Sequence, residues 1–212
     1  PFYYYHREGV FLFGSEIKSF LEHPDFQKEL HEERLPDYLC YEYIPDRETL
    51  FRNVYKLGNG EYFLYEYDTG AFSLHQYYDA IHAFHPDEAP SLEEWEDRIA
   101  DAFAESVRMH KISDVEVGCF LSSGVDSSYV STYFADQKTF TVGFDFGEKY
   151  NEISWAERLS KKIGVEHHTH LISSEEFWGN VEHVQYHMDQ PLADPSCIAL
   201  YFVSKLASEY VK

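Results

Sequence analysis

The residues best suited to chemistry stand together in a short polar segment, Ser122-Ser123-Gly124-Val125-Asp126-Ser127-Ser128, called the serine loop below. It follows the apolar run 115–121, which we predict to be a strand, and opens a stretch that we predict to be helical. A glycine lets the backbone approach an anion closely, while N–H groups at a helix start and serine hydroxyls donate hydrogen bonds to it. The serine loop therefore predicts a cradle for a phosphate chain. The alternative is a serine-rich turn that only caps a helix through Ser122 or Ser127.

Two other phosphate-binding motifs are absent from the sequence. The Walker pattern has a lysine directly after its second glycine, and no segment of the chain fits it. The segment Gly58-Asn59-Gly60 lacks the third glycine and the flanks of a dinucleotide fingerprint. Ordinary P-loop and Rossmann nucleotide sites are therefore excluded.

The segments after the serine loop alternate between strand and helix patterns. Residues 138–144 predict a strand, and Asn151 can cap a helix over 152–163 that stops at Gly164. Residues 166–171 predict a further strand. This order is typical of an α/β fold with a doubly wound parallel sheet, in which ligands bind beyond the carboxyl ends of the strands. The serine loop lies at such an end.

The serine loop resembles the SGGxDS pyrophosphate loop of the ATP pyrophosphatase superfamily, whose members split ATP between its α and β phosphates. Ser123 stands where many members carry glycine, which is compatible only if this residue does not need a positive φ. Consecutive blocks of the chain also resemble the synthetase domain of glutamine-hydrolysing asparagine synthetases: CFLSSGVDSS, TFTVGF, YNEISWAERLSKKIGVEHH and DQPLADPSCIALYFVSKLA. The opening segment, PFYYYHREGVFLFGSEIKSFLEH, is similar to the end of the glutamine amidotransferase domain that precedes it in that family.

The resemblance implies an adenine nucleotide alpha hydrolase-like fold of the ATP pyrophosphatase type, with ATP as substrate and Mg²⁺ as cofactor. It implies a ligase that adenylates the side-chain carboxylate of aspartate with release of pyrophosphate, after which ammonia from glutamine gives asparagine. Asp126 would hold the metal, the backbones of Leu121 and Val142 would border adenine and ribose, and no acid or base is assigned. The expected ATP and pyrophosphate site is Leu121, Ser122, Ser123, Gly124, Asp126, Ser127, Ser128 and Val142.

The segment 189–196 is a further candidate. Asp194 followed by Pro195 predicts the cap of a helix that runs through Ala207. The resemblance alone implies instead that Asp189 and Asp194 line the cleft where the amino-acid substrate meets ATP.

We expect three parts along the chain. Residues 1–24 are the β-rich remnant of a class II glutamine amidotransferase domain, 25–90 a connecting helix and β-hairpin region, and 91–212 an incomplete ATP-binding synthetase domain. The family's cysteine nucleophile and its SGEGADE motif, expected after Lys212, are not in this sequence. We therefore expect an internal fragment that forms no asparagine by itself.

Two local patterns mark elements outside the predicted parallel sheet. Aromatic-rich strands at 62–67 and 72–77 predict a hairpin whose rings pack in a core, because no basic residues interleave them as in a base-stacking surface. Ser91 and Glu94 predict a capping box, and the apolar residues after it predict an amphipathic helix that covers the sheet.

Composition limits the partners. The 212 residues include 17 basic and 38 acidic ones, and the formal charge of −21 opposes binding to nucleic acid or to an anionic membrane. It also repels ATP, which again favours Mg²⁺. The expected partners are small molecules (ATP, aspartate and glutamine-derived ammonia) and a second copy of the parent protein. The sequence has no signal-peptide pattern and no apolar run of spanning length, and its cysteines, Cys40, Cys119 and Cys197, are odd in number, so we expect a cytoplasmic location.

Two functional alternatives stay open. Another ATP-pyrophosphatase-type ligase, such as a β-lactam synthetase relative, would adenylate a different substrate, although the amidotransferase-like opening argues against GMP and NAD synthetases. A non-catalytic nucleotide-binding module would bind ATP without turnover. A zinc site among the histidines is disfavoured, because His167 points away from His168 and His170 on a strand, and His183 and His187 lack a metalloprotease glutamate between them.

Overall fold

The structure, a computed structural model, describes residues 2–7, 9–80, 90–134, 137–147 and 151–212. The strands are β1 (Tyr3–Arg7), β2 (Val10–Gly14), β3 (Val54–Lys56), β4 (Glu61–Glu66), β5 (Ala71–Gln76), β6 (Cys119–Phe120), β7 (Lys138–Phe144) and β8 (Glu166–Ile172). The α-helices are α1 (Leu35–Tyr41), α2 (Leu92–His110), α3 (Val125–Ser131), α4 (Ile153–Ile163), α5 (Ser174–His187) and α6 (Ser196–Ser208). Short 3-10 helices cover Ile17–Glu22, Glu32–Arg34 and Thr132–Phe134.

The chain divides into two units. The first unit contains residues 1–88 together with 185–194, and the second contains residues 89–184 together with 195–212. Within the described ranges, no helix combines the length and the apolar character needed to cross a membrane.

The first unit is antiparallel. Its strands pair in the order β2-β1-β3, and β4 and β5 form a separate hairpin. Because side chains alternate along a strand, Tyr3 and Tyr5 share one face of β1. They are buried there with Ile17, Phe20 and Val54, and this cluster is the core of the unit.

The predicted aromatic hairpin is confirmed, with both strands shifted by one residue toward the N-terminus. β4 and β5 pair along their whole length. Their rings pack against β1 and β2: Phe72 lies 5.2 Å from Tyr4, and Tyr65 stacks on Phe11 at 4.3 Å between ring centroids. Phe63, Tyr65 and Phe72 are therefore packing residues. Tyr62, Tyr67 and Tyr77, which also lie in the predicted strands, are exposed, so the packing prediction holds for one face of the hairpin.

A carboxylate closes the start of the first 3-10 helix in this unit. Asp189, whose side chain is 5 % exposed, accepts hydrogen bonds from the backbone N–H groups of Ile17 (2.8 Å) and Lys18 (3.1 Å). The Lys18 ammonium lies 2.9 Å from the same carboxylate and 3.1 Å from Glu16. Burial alone would lower the pKa of Lys18, but the hydrogen bonds to Asp189 and Glu16 raise it above its ordinary value. This charged contact ties residues distant in sequence into one unit.

The second unit contains a parallel sheet in the order β6-β7-β8, so the mixed α/β class is confirmed. Helices cover both faces of β7. On one face Phe140 is buried against Val203 and Ala207 of α6. On the other face Gly143 leaves room for α4, since an added Cβ there would overlap Oδ1 of the Asn151 side chain and lie 3.0 Å from Ile153 Cδ1.

The strand before the serine loop is shorter than the apolar run predicts. Residues 115–121 predicted a strand, whereas β6 contains only two residues, Cys119–Phe120. Gly118 lies directly against the Phe140 ring, and Glu116 forms an ion pair with Lys138 through its side chain. These contacts hold the segment beside β7 without backbone pairing.

Helix boundaries follow the predicted caps closely. The capping box of Ser91 and Glu94 is present at the start of α2, and Gly164 ends α4 in the left-handed region with φ +76°. Asn151 accepts the N–H of Ile153 at 3.1 Å, as predicted for a capping side chain. The N-cap position itself belongs to Glu152, so α4 begins one residue later than predicted. Only the last turns of α2 pack near β6, through Val107, while Leu92 in its first turn is exposed. The prediction that this helix covers the sheet therefore holds for its C-terminal part alone.

We expect Asp189→Asn to lower the free energy of unfolding by about 1–3 kcal/mol, because an amide accepts weaker hydrogen bonds and leaves a partly buried ammonium less well paired. Urea unfolding followed by circular dichroism measures this change. Asp25→Asn, at an exposed position, is the control and should leave the midpoint unchanged. Equal midpoints for both variants would show that the Asp189 contact contributes no stability.

Candidate functional site

The serine loop starts from a backbone that β7 holds in place. Leu121, the residue after β6, donates its N–H to the Phe140 carbonyl at 2.8 Å. Its own carbonyl accepts a hydrogen bond from the Thr141 hydroxyl, and Thr141 is 2 % exposed. Both backbone groups of Leu121 are thus anchored to the neighbouring strand. The chain leaves the sheet in a fixed direction directly before the loop.

Hydroxyl groups organise the loop itself. The Ser122 N–H donates to Ser127 Oγ at 3.1 Å, and the two hydroxyl oxygens lie 2.7 Å apart. The Gly124 N–H donates to Ser122 Oγ at 3.1 Å. Ser127 and Ser128 donate their hydroxyls to the Gly124 carbonyl at 3.2 and 2.6 Å. The cap residue of α3 is Gly124, so neither Ser122 nor Ser127 takes the N-cap position that the alternative interpretation gave them.

The backbone conformation explains why serine is tolerated at position 123. Ser123 has no positive φ, which meets the condition that the family comparison set for this residue. Gly124 has φ −69° and ψ 151°, an extended conformation that other residues also adopt. A Cβ on Gly124 would lie 3.2 Å from Ser122 Oγ, closer than ordinary contact. Glycine is therefore favoured here by space around the loop rather than by backbone strain.

A cavity of about 580 Å³ opens beside the loop in the second unit. This volume lies within the usual range for small-molecule sites, about 300–1,000 Å³. One end carries the Ser122 and Ser127 hydroxyls and the Glu152 carboxylate, and the remainder is mostly apolar. The lining residues are Phe120, Leu121, Ser122, Ser127, Phe140, Thr141, Val142, Phe144, Glu152, Pro195, Ser196, Ala199, Leu200 and Val203.

The structure brings together part of the predicted ATP set. Leu121, Ser122, Ser127 and Val142 all line the cavity. The other members, Ser123, Gly124, Asp126 and Ser128, belong to the same loop and the first turn of α3, outside the lining. The predicted residues thus lie next to one another. Leu121 and Val142 provide the apolar part, and the serine loop provides the polar part.

Asp126 is an exposed carboxylate in the first turn of α3. Among the residues that the structure describes, its carboxylate has no hydrogen-bond or ion-pair partner. The described residues also contain no group of three or more His, Cys, Asp or Glu side chains that could hold a metal ion. Mg²⁺ prefers carboxylate and phosphate oxygens and keeps several waters. A single carboxylate beside a phosphate cradle fits that preference, since the phosphates and water supply the other ligands.

The two aspartates predicted to line a substrate cleft belong to the first unit. Asp189 is engaged by Lys18 and by the backbone at Ile17, as described above. The N-cap of α6 is Pro195, so the prediction that Asp194 caps this helix is displaced by one residue. The role of both carboxylates toward a substrate stays a prediction.

Sequence reasoning missed two residues of the site. Thr141 anchors the start of the loop, and Glu152 accepts the Ser123 N–H at 3.2 Å through Oε2. Glu152 had been assigned only to a helix. The clue to its position was available, because it follows β7 and therefore lies at the same sheet edge as the serine loop.

The strand that leads to the loop contains a buried thiol. Burial raises the pKa of Cys119 to about 11, and the thiol packs in the core as a small apolar side chain. Cys197 is also buried, whereas Cys40 is exposed. Only the thiolate form is nucleophilic, so burial and the raised pKa both suppress the reactivity of Cys119.

Comparisons with known proteins agree with this geometry. The family model described as asparagine synthase matches residues 98–212, and the model described as glutamine amidotransferase domain matches residues 1–78. Asparagine synthetase [glutamine-hydrolyzing] 1 of Bacillus subtilis is 33 % identical over all of this chain and 33 % of its own length. A putative asparagine synthetase [glutamine-hydrolyzing] of Mycobacterium bovis is 31 % identical over 88 % of this chain and 29 % of its own length.

A more distant relative is similar along the whole chain. Putative asparagine synthetase [glutamine-hydrolyzing] 2 of Methanocaldococcus jannaschii is 27 % identical over 100 % of this chain and 42 % of its own length. The chain spans about a third of the length of the curated relatives first described, 33 % and 29 %.

We expect Cys40 to react with a thiol reagent at pH 8 at least about a hundredfold faster than Cys119, because Cys40 is exposed, whereas Cys119 is buried and its pKa is raised to about 11. Stopped-flow reaction with Ellman's reagent measures the phases in the native protein. Cys40→Ser should abolish the fast phase. A fast phase that survives in this variant would mean that a buried cysteine is accessible.

Gly124→Val should weaken nucleotide binding by at least about tenfold, because the side chain obstructs the loop and displaces donors to the phosphates. Titration calorimetry with ATP and Mg²⁺ tests this. Gly179→Ala, at a helical position with open space around it, is the control. Unchanged affinity in a folded Gly124→Val protein would place the phosphates elsewhere.

Proposed function

The chain belongs to the asparagine synthase family, and we propose that the protein is a glutamine-hydrolysing asparagine synthetase, an ATP-dependent ligase. The observation that carries the proposal is the serine loop at the polar end of an otherwise apolar cavity, inside the region that matches the family. Phosphates need donors and adenine needs an apolar slot, and this site offers both within one unit. The match of residues 1–78 to a glutamine amidotransferase domain supports glutamine as the source of ammonia.

We propose that ATP binds with its adenine and ribose beside the backbones of Leu121 and Val142. The triphosphate then reaches the serine loop, where Ser122, Ser127 and Ser128 supply hydroxyl donors. Ser123 and Gly124 supply backbone N–H groups. The hydrogen bonds within the loop support this arrangement, because they hold these donors together at the start of α3, where an arriving phosphate can replace their present acceptors.

In the proposed reaction a side-chain carboxylate oxygen of aspartate forms a bond to the α-phosphorus of ATP. The bond from that phosphorus to the bridging oxygen breaks, and pyrophosphate leaves with the electron pair. The loop donors stabilise the charge that develops on the leaving group. Ammonia then attacks the carbonyl carbon of the aspartyl-adenylate, AMP departs, and asparagine is formed. Chain residues position the reactants in both steps, and no general base is assigned.

Asp126 is the residue proposed to hold Mg²⁺. The ion would neutralise phosphate charge, which a chain of net charge −21 otherwise repels. Asp126 suits this role because its exposed carboxylate stands in the first turn after the loop.

The fold that we propose for the second unit is the doubly wound sheet of the ATP pyrophosphatase type. Its support is the parallel order β6-β7-β8 with α4 and α6 on opposite faces of β7. The proposed division of the chain remains 1–24, 25–90 and 91–212, as amidotransferase remnant, connecting region and synthetase domain. A cytoplasmic location agrees with the exposed Cys40 thiol, because such thiols persist in reducing compartments.

We expect the full-length parent protein, supplied with aspartate, ATP, Mg²⁺ and glutamine, to form AMP, pyrophosphate and asparagine in equal amounts. Asp126→Asn should weaken Mg-ATP binding by about tenfold, since it removes the charge that holds the cation. Asp101→Asn, an exposed aspartate of α2, is the matched control. Products of ADP and phosphate would contradict the proposal, and AMP formed only with a different carboxylic acid would favour another ligase.

A further inference from the structure

One backbone N–H of the serine loop donates a hydrogen bond to a carboxylate outside the loop, that of Glu152. The N–H groups of Ser122, Ser123 and Gly124 all have partners. Ser122 and Gly124 donate to hydroxyl oxygens of the loop itself. Ser123 donates to Glu152 Oε2 at 3.2 Å, across 29 residues of sequence. Of the three acceptors, only Glu152 is charged and lies outside the loop. Its carboxylate occupies the Ser123 N–H, to which we propose that a phosphate binds.

The backbone around Glu152 is held firmly. Asn151 and Ile153 pack over Gly143 of β7, which has no side chain to keep them away. Asn151 also accepts the Ile153 N–H at the start of α4. Glu152 itself stands at the N-cap position, and its side chain makes no capping hydrogen bond to this helix. The backbone of Glu152 is thus held in place, while its carboxylate is exposed and makes no hydrogen bond that caps its own helix.

We propose that Glu152 sets the affinity and the metal dependence of nucleotide binding, because its carboxylate holds the Ser123 amide until a phosphate displaces it. The inference rests on the proposed function in one respect, that phosphates bind on the serine loop. Glu152 lines the same cavity as Ser122 and Ser127, so a phosphate that reaches these hydroxyls meets the carboxylate at close range.

Electrostatics gives the direction of the effect. Two anions cannot share one N–H donor at hydrogen-bond distance, and at this short range they repel each other even where solvent reaches the site. Metal-free ATP carries the larger negative charge and is opposed most. Mg-ATP carries less charge and is opposed less. Adenosine carries no phosphate, so its binding does not depend on Glu152. The carboxylate therefore favours the magnesium complex over the free nucleotide.

The test compares the full protein with its Glu152→Gln and Glu152→Ala variants by titration calorimetry. The probes are ATP with EDTA, ATP with Mg²⁺, and adenosine. Both substitutions should tighten metal-free ATP binding by at least about threefold, because a like charge is removed from the phosphate position. Mg-ATP should tighten less, so that the ratio of the two dissociation constants narrows, and adenosine affinity should stay constant. Glu157→Gln, which removes the same charge five residues further along the chain and outside the cavity lining, should change none of these values.

Each other outcome has a distinct meaning. Unchanged metal-free ATP affinity in both Glu152 variants would overturn the inference while leaving the proposed function intact. Weaker Mg-ATP binding with metal-free ATP unchanged would also overturn it, and would make Glu152 a metal ligand. Failure of the unsubstituted protein to bind ATP at all would instead overturn the proposed function.

Discussion

The hydrogen bond from the Thr141 hydroxyl to the Leu121 carbonyl is the contact on which the candidate site depends. β6 contains only two residues, so strand pairing by itself provides few hydrogen bonds to fix the start of the serine loop. The Thr141 bond and the Leu121 N–H bond to Phe140 extend the attachment to β7 by one residue. The loop can therefore leave the sheet at a defined angle. Because a buried carbonyl without a partner is costly, loss of the Thr141 hydroxyl would leave the Leu121 carbonyl unpaired at the start of the loop.

Central strand β7 links the two sides of the site. Its Phe140 and Val142 face α6 and form one wall of the cavity, while Gly143 on the opposite face lets the start of α4 approach. The same strand thus fixes the apolar slot, the start of the serine loop and the position of Glu152. One strand can contribute to both sides of the site because successive side chains of a strand point to opposite faces of the sheet.

Local patterns in the sequence predicted most elements of the second unit. The strands β7 and β8, the Ser91 capping box and the stop at Gly164 all follow from periodicity and cap chemistry, and the structure confirms them. The length of β6 did not follow, because the segment before it is held by contacts of Gly118 with the Phe140 ring and of Glu116 with Lys138 rather than by backbone pairing. The sequence order places Glu152 at the sheet edge of the serine loop, but its hydrogen bond to Ser123, across 29 residues, and the bonds of Asp189 to Ile17 and Lys18, across 171–172 residues, are visible only in the tertiary structure. Motifs therefore identify the loop, whereas the tertiary structure identifies the partners of these two carboxylates.

The most direct test of this account is a crystal structure of the protein with Mg²⁺ and α,β-methylene ATP, an analogue that cannot be cleaved at the reactive bond. The account predicts adenine in the apolar cavity between Leu121 and Val142, phosphates on the amides and hydroxyls of residues 122–128, and the Glu152 carboxylate displaced from the Ser123 N–H. A nucleotide bound elsewhere, with the loop hydrogen bonds unchanged, would contradict it.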